Sequence, residues 1–108
     1  MNIIDKVHIN KYLVGGKLVE WNGEKSEVYS VIKNDKNSPT LLGSIPNLDE
    51  NAAISAIQQA DLAYNRGRGK WATMSVQKRI ECMQKFVNEM EKYRHQISNL
   101  IMWEICKP

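Results

Sequence analysis

The chain has 108 residues, a length for one domain at most, and its 43% hydrophobic and 25% charged residues are globular usage, which excludes a disordered or fibrous chain. No apolar run approaches the ~18 residues of a membrane span, and MNIIDKVHINKY lacks a basic region followed by a small-residue cleavage site, so no membrane partner is expected and the cytoplasm is the expected compartment. The net charge of +3 sits in one loop, Arg66, Arg68 and Lys70, rather than along a face, so nucleic acid is disfavoured as a partner.

Residues 1–10 read as an N-terminal tail and residues 11–46 as short strands and hairpins. Tyr12-Leu13-Val14 and Lys17-Leu18-Val19-Glu20-Trp21 flank Gly15-Gly16, a pair suited to the positive φ angles of a two-residue hairpin turn. Asn22-Gly23 is a second turn signal. SEVYSVIK (residues 26–33) is rich in β-formers and predicts a third strand. Asn34 through Pro39 is polar and turn-like, and TLLGSIP (residues 40–46) predicts a fourth strand closed by Pro46.

At Asp49 the period changes, and residues 47–108 read as helical. Asp49 suits an N-cap and Glu50 complements the helix dipole. Ala53, Ile57, Ala60 and Tyr64, with Ile54 beside them, make one apolar stripe, and Arg66 and Gly67 supply a stop. Ser75 suits a second N-cap. Val76, Ile80, Met83, Val87 and Met90, then Ile97 and Ile101, follow at alternating spacings of four and three, with a gap at Arg94. Thirty residues of unbroken helix would span roughly 45 Å, so the polar stretch Tyr93-Arg94-His95-Gln96 predicts a break. Helices are expected near 49–65, 75–93 and 95–105, and the fold class is α+β.

The candidate chemical groups each have a structural alternative that is favoured. Gly15-Gly16-Lys17 lacks the long glycine loop of a Walker motif and reads as a turn. Gly67-x-Gly69 among three bases lacks a third glycine and a preceding strand, which favours a solvated interhelix loop over an anion cradle. Trp71 reads as an anchor of that loop onto the helices rather than a stacking platform. Cys82, one turn after Lys78 and Arg79, reads as a small buried hydrophobe. Met74, Met83, Met90 and Met102 read as core filler. Cys82 and Cys106 lie in no CxxC, and His8 and His95 begin no ligand cluster, so reduced thiols and no metal are expected. Glu89 and Glu104 have no acidic partner at recognisable spacing. The expectation is no catalytic, cofactor-binding or metal-ligating residue in this chain.

The order of these parts resembles the N-terminus of the NAD(P)-dependent aldehyde dehydrogenases. The matching pieces are the Y-x-x-G-G hairpin from Tyr12 to Trp21, the strand EVYSVI, the strand LLGSIP, the helix LDENAAISAIQQADLAYN, Trp71, the segment MSVQKRIECMQKFVNEMEK and the closing LIMWEICKP. At that close the family pattern is Glu-x-Gly-Lys-Pro, and this chain has Cys106 in place of the glycine. GRGKWATMSVQKRI with LIMWEI is most similar to the non-phosphorylating, NADP-dependent glyceraldehyde-3-phosphate dehydrogenase branch.

The resemblance implies a parent enzyme that oxidises an aldehyde through a thiohemiacetal on cysteine, hydride transfer to NAD(P) and thioester hydrolysis. It implies that the catalytic cysteine, the general base and most of the cofactor site lie downstream of these residues. This chain then corresponds to the first part of the cofactor domain, an incomplete domain, inactive by itself and holding no cofactor alone. Its helices would present an apolar face made to cover a sheet, and the expected partners are a second copy or the missing C-terminal part of the enzyme. The alternative is a small helical interaction or dimerisation module with no enzymatic role, built on the 76–101 stripe.

Overall fold

A computed structural model describes residues 5–107. Residues 1–4 of the expected tail and Pro108 of the closing segment lie outside the described residues. Strands β2 (Lys11–Val14) and β3 (Lys17–Glu20) pair antiparallel about Gly15 and Gly16, whose φ angles of 58° and 74° meet the demand of a tight hairpin turn. Trp21 closes the hairpin. Its ring meets Tyr12 edge-on at 5.9 Å, and its indole Nε1 donates to the Glu24 carbonyl at 2.6 Å.

Strands β4 (Lys25–Lys33) and β5 (Pro39–Pro46) form a second, longer antiparallel pair. Asn34 organises its turn, because its Oδ1 accepts from the amides of Lys36 at 2.9 Å and Ser38 at 3.2 Å. Val7–His8, inside the segment expected as a tail, is in fact a strand, β1, lying parallel to β5 with Val7 opposite Gly43. Two residues are too few for a periodicity signal, and their partner lies 36 positions away, so sequence pattern could not reveal the pairing. The sheet order is β1-β5-β4, and its centre is the best-covered part of the molecule: Leu42, Gly43 and Ser44 on β5 and Ser30 on β4 are buried.

Helix α1 (Glu50–Tyr64) starts where Asp49 Oδ1 accepts from the Ala52 amide at 2.8 Å. It ends one residue earlier than its sequence stop signals suggest, with Asn65 in the left-handed region. A 3-10 turn over Asn65–Gly67 and a short helix α2 (Lys70–Thr73) follow. Helix α3 (Val76–Lys92) is capped by Ser75 Oγ, which accepts from the Lys78 amide at 3.2 Å. The backbone breaks at Tyr93, inside the polar interruption, and α4 (Arg94–Ile105) packs against β4.

The helix stripes face differently from expectation. On α1 it is Ala52 and Ala56 that are half-buried, while Ile54, Ile57 and Tyr64 point to solvent. Small residues let the helix approach the hairpin closely, and at that contact the Gln59 side chain lies against Gly15. On α3 the stripe is right and its cover is absent: every residue from Ile80 to Gln96 is exposed. The dimensions agree. The radius of gyration is 18.1 Å, against about 13 Å for a compact chain of this length. The accessible surface is 9109 Å², against about 6,100 Å² for a compact protein of 12.4 kDa.

Candidate functional site

The sequence offered three places for an anion, and the backbone accounts for each of them. Gly15-Gly16-Lys17 is the β2–β3 turn. In the Arg66–Lys70 loop the amides that would cradle a phosphate are already donated: Arg68 N to the Asn65 carbonyl at 2.9 Å, and Gly69 N to the Tyr64 carbonyl at 3.0 Å. Gly69 is there for close approach, since a Cβ on it would lie 1.8 Å from the Ala63 carbonyl oxygen. The third place is the junction of β5 with α1, a strand running into a helix N-terminus. There Asp49 takes an amide and Glu50 adds a second negative charge in the first turn. A dinucleotide pyrophosphate needs free amides and no neighbouring acids at such a terminus, so these residues do not fit that cofactor.

Among the described residues no group of three or more His, Cys, Asp or Glu side chains comes together in a way that could hold a metal ion. His8 Nδ1 lies 2.8 Å from Ser44 Oγ across the β1–β5 pairing, far in sequence from His95 on α4. Cys82 is not the buried hydrophobe that the sequence suggested. It is exposed on α3, because no element covers that helix. Cys106 is exposed as well. The methionines divide: Met74 and Met102 are half-buried as filler, whereas Met83 and Met90 are exposed on α3. Trp71 packs less than an anchor would, being 50% exposed, and forms one wall of a shallow groove with Val76, Arg79, Ile80 and Met83.

One titratable group departs from its usual behaviour. Tyr29 on β4 donates its hydroxyl to Glu27 Oε2, two residues along the same strand. That hydrogen bond, with the nearby carboxylate charge adding to it, holds the neutral phenol and raises its pKa. The pair lies at the surface and has no second catalytic group beside it in the contacts of this sheet.

What the residues do assemble is a surface. From Trp71 to Ile97, apolar side chains run along one side of α3 and onto α4 in two adjoining grooves. The first is bounded by Trp71, Val76, Ile80 and Met83, and the second by Phe86, Met90 and Ile97. Arg79 borders the first groove and the Glu91–Arg94 ion pair, at 3.0 Å, borders the second. Phe86, which the sequence stripe did not include, is among the more exposed of these at 58%. Its place next to Val87 widens the stripe beyond a strict four–three repeat, and that adjacency was the available signal.

A third groove lies on the open side of β5, lined by Val7, Ile9, Leu42, Ile45, Leu100 and neighbouring residues. Together these faces are suited to binding another protein surface by apolar contact, and no constellation of acid, base and nucleophile stands beside them. No helix among the described residues is long and apolar enough to cross a membrane. Compared with known proteins, the chain matches the family model described as the aldehyde dehydrogenase family over residues 21–108. No curated protein and no solved structure matches it at a significant level.

Proposed function

The chain belongs to the aldehyde dehydrogenase family, and from that premise we propose that it is the non-catalytic N-terminal segment of an oxidoreductase of this family, inactive by itself. The observation that carries the reading is the family match over residues 21–108 taken with the uncovered face of α3. An amphipathic helix exposed along its whole apolar side is stable in water only where another surface is supplied. In the proposed enzyme that surface is the C-terminal part of the chain's own fold, or a second copy of this one.

The parent reaction is the NAD(P)-dependent oxidation of an aldehyde to the acid. The resemblance of GRGKWATMSVQKRI and LIMWEI supports glyceraldehyde 3-phosphate as the aldehyde and NADP as the cofactor. No step of that chemistry is assigned to residues here. The capped and acidic start of α1 is unsuited to a dinucleotide, and the nucleophile and base belong to other segments of the proposed enzyme. The cytoplasm is its proposed compartment.

The test is an assay of the chain with glyceraldehyde 3-phosphate and other aldehydes in the presence of NADP or NAD. The expected result is no reduced nicotinamide above background. Turnover by the chain alone overturns the reading. The second reading, a helical interaction module, draws on the same α3 face and predicts the same silence in that assay. It is separated by adding a family member's separately produced C-terminal part, which binds the chain only under the first reading.

A further inference from the structure

We propose that α3 is the contact surface of a two-fold symmetric dimer of this chain, in which the two copies of the helix run antiparallel and cross at Met83. The inference deepens the self-association within the proposed function and does not depend on the family's chemistry.

Three observations lead to it. The first is the amount of uncovered surface. The chain exposes about 3,000 Å² more than a compact protein of its mass, and a standard interface needs about 800 Å² from each partner. The second is the pattern on α3. Val76, Ile80, Met83, Val87 and Met90 are spaced four, three, four, three, so the stripe is nearly the same read from either end about Met83. An isologous interface requires that self-complementarity. An antiparallel pair sets Val76 of one copy near Met90 of the other, and Ile80 near Phe86 and Val87.

The third observation is charge. Lys78 and Arg79 lie in the first half of α3, and Glu89 and Glu91 in the second half. Antiparallel helices bring the bases of one copy alongside the acids of the other, whereas parallel helices stack like on like. Glu89 and Glu91 already bond Lys92 and Arg94 within the chain, but these ion pairs are exposed and individually worth about 0–1 kcal/mol, so the carboxylates remain open to a second cation. Because the symmetry closes, association stops at two copies.

Sedimentation equilibrium of the whole chain at micromolar concentration tests the proposal, with circular dichroism as the control for folding. The expected mass is twice the chain's 12.4 kDa. Met83→Glu sets two like charges at the symmetry axis and is expected to raise the dissociation constant about tenfold or more. Arg79→Glu weakens association, and adding Glu89→Lys and Glu91→Lys to it restores the dimer. A monomer at every concentration, an open-ended polymer, or a dimer indifferent to Met83→Glu with helix content retained would each overturn the proposal. A monomer that still binds a family C-terminal part leaves the segment reading standing, and that reading fails instead on turnover by the chain alone.

Discussion

Ser30 donates its hydroxyl to the backbone carbonyl of Trp103, 73 residues away, at 2.5 Å. The same oxygen accepts from the Ile32 amide at 3.0 Å. Trp103 lies in the last turn of α4, where carbonyls have no partner within the helix. A strand side chain therefore supplies a helix-end hydrogen bond, and this contact docks the C-terminal helix on the sheet. Ser30 is 1% exposed, the most buried side chain in the molecule.

Ser30→Ala removes both hydrogen bonds without leaving a large void. The expected cost is about 1–2 kcal/mol, read from urea denaturation followed by helix content. Because α4 is the element released, the protection of its amides against hydrogen exchange should fall more than that of α1.

Gly43→Ala should be far more damaging. Gly43 faces Val7 across the β1–β5 pairing, and a Cβ there would lie 1.8 Å from the Val7 carbonyl oxygen with φ at 155°. No side-chain rotation relieves a clash with backbone, so β1 must detach or β5 must shift. A loss of about 3 kcal/mol or more is expected, measured as a lowered denaturation midpoint. If the midpoint is unchanged, the β1 pairing is not formed in solution.

Cys106→Gly should stabilise the chain. Cys106 leaves α4 with φ 55° and ψ 34°, a left-handed exit that a side chain disfavours by about 1–2 kcal/mol. Glycine takes that conformation freely but also loosens the unfolded chain, so a net gain of about 0.5–1 kcal/mol is expected in thermal denaturation. Glycine is also the residue of the family pattern at this position, and the observed angles give the physical reason for it.

The Tyr29–Glu27 pair should appear at alkaline pH. Hydrogen bonding to Glu27 raises the tyrosine pKa, so the phenol stays neutral in the folded chain at a pH where it would ionise in the unfolded one. Its contribution to stability is present below the ordinary tyrosine pKa of about 10 and is lost as pH rises through the folded value. Phenolate absorbance should therefore contain a late component that disappears in Tyr29→Phe and moves to lower pH in Glu27→Ala. A titration in which Glu27→Ala changes nothing would refute the assignment.

Local signals foretold most of the elements. Turn glycines at 15 and 16, cap residues Asp49 and Ser75, and the polar break at Tyr93 act through hydrogen bonds within a few residues, so they can be read in order along the chain. The α2 turn and the β1 strand escaped because each is too short to carry a period. Of the candidate site, the α3 stripe was visible in the sequence and its exposure was expected. The buried placements foreseen for Cys82, Met83 and Met90 failed because nothing packs over that helix.

The amino-acid sequence by itself determined the α+β order of the elements, the positions of their ends and the family to which residues 21–108 belong. Only the tertiary structure decided that Val7 joins Gly43, that Ser30 holds Trp103, that α1 buries its alanines rather than Ile57, and that α3 stands bare. The reason is physical. Caps and turns are set by neighbours in the chain, whereas burial depends on which surfaces from distant segments arrive to exclude water.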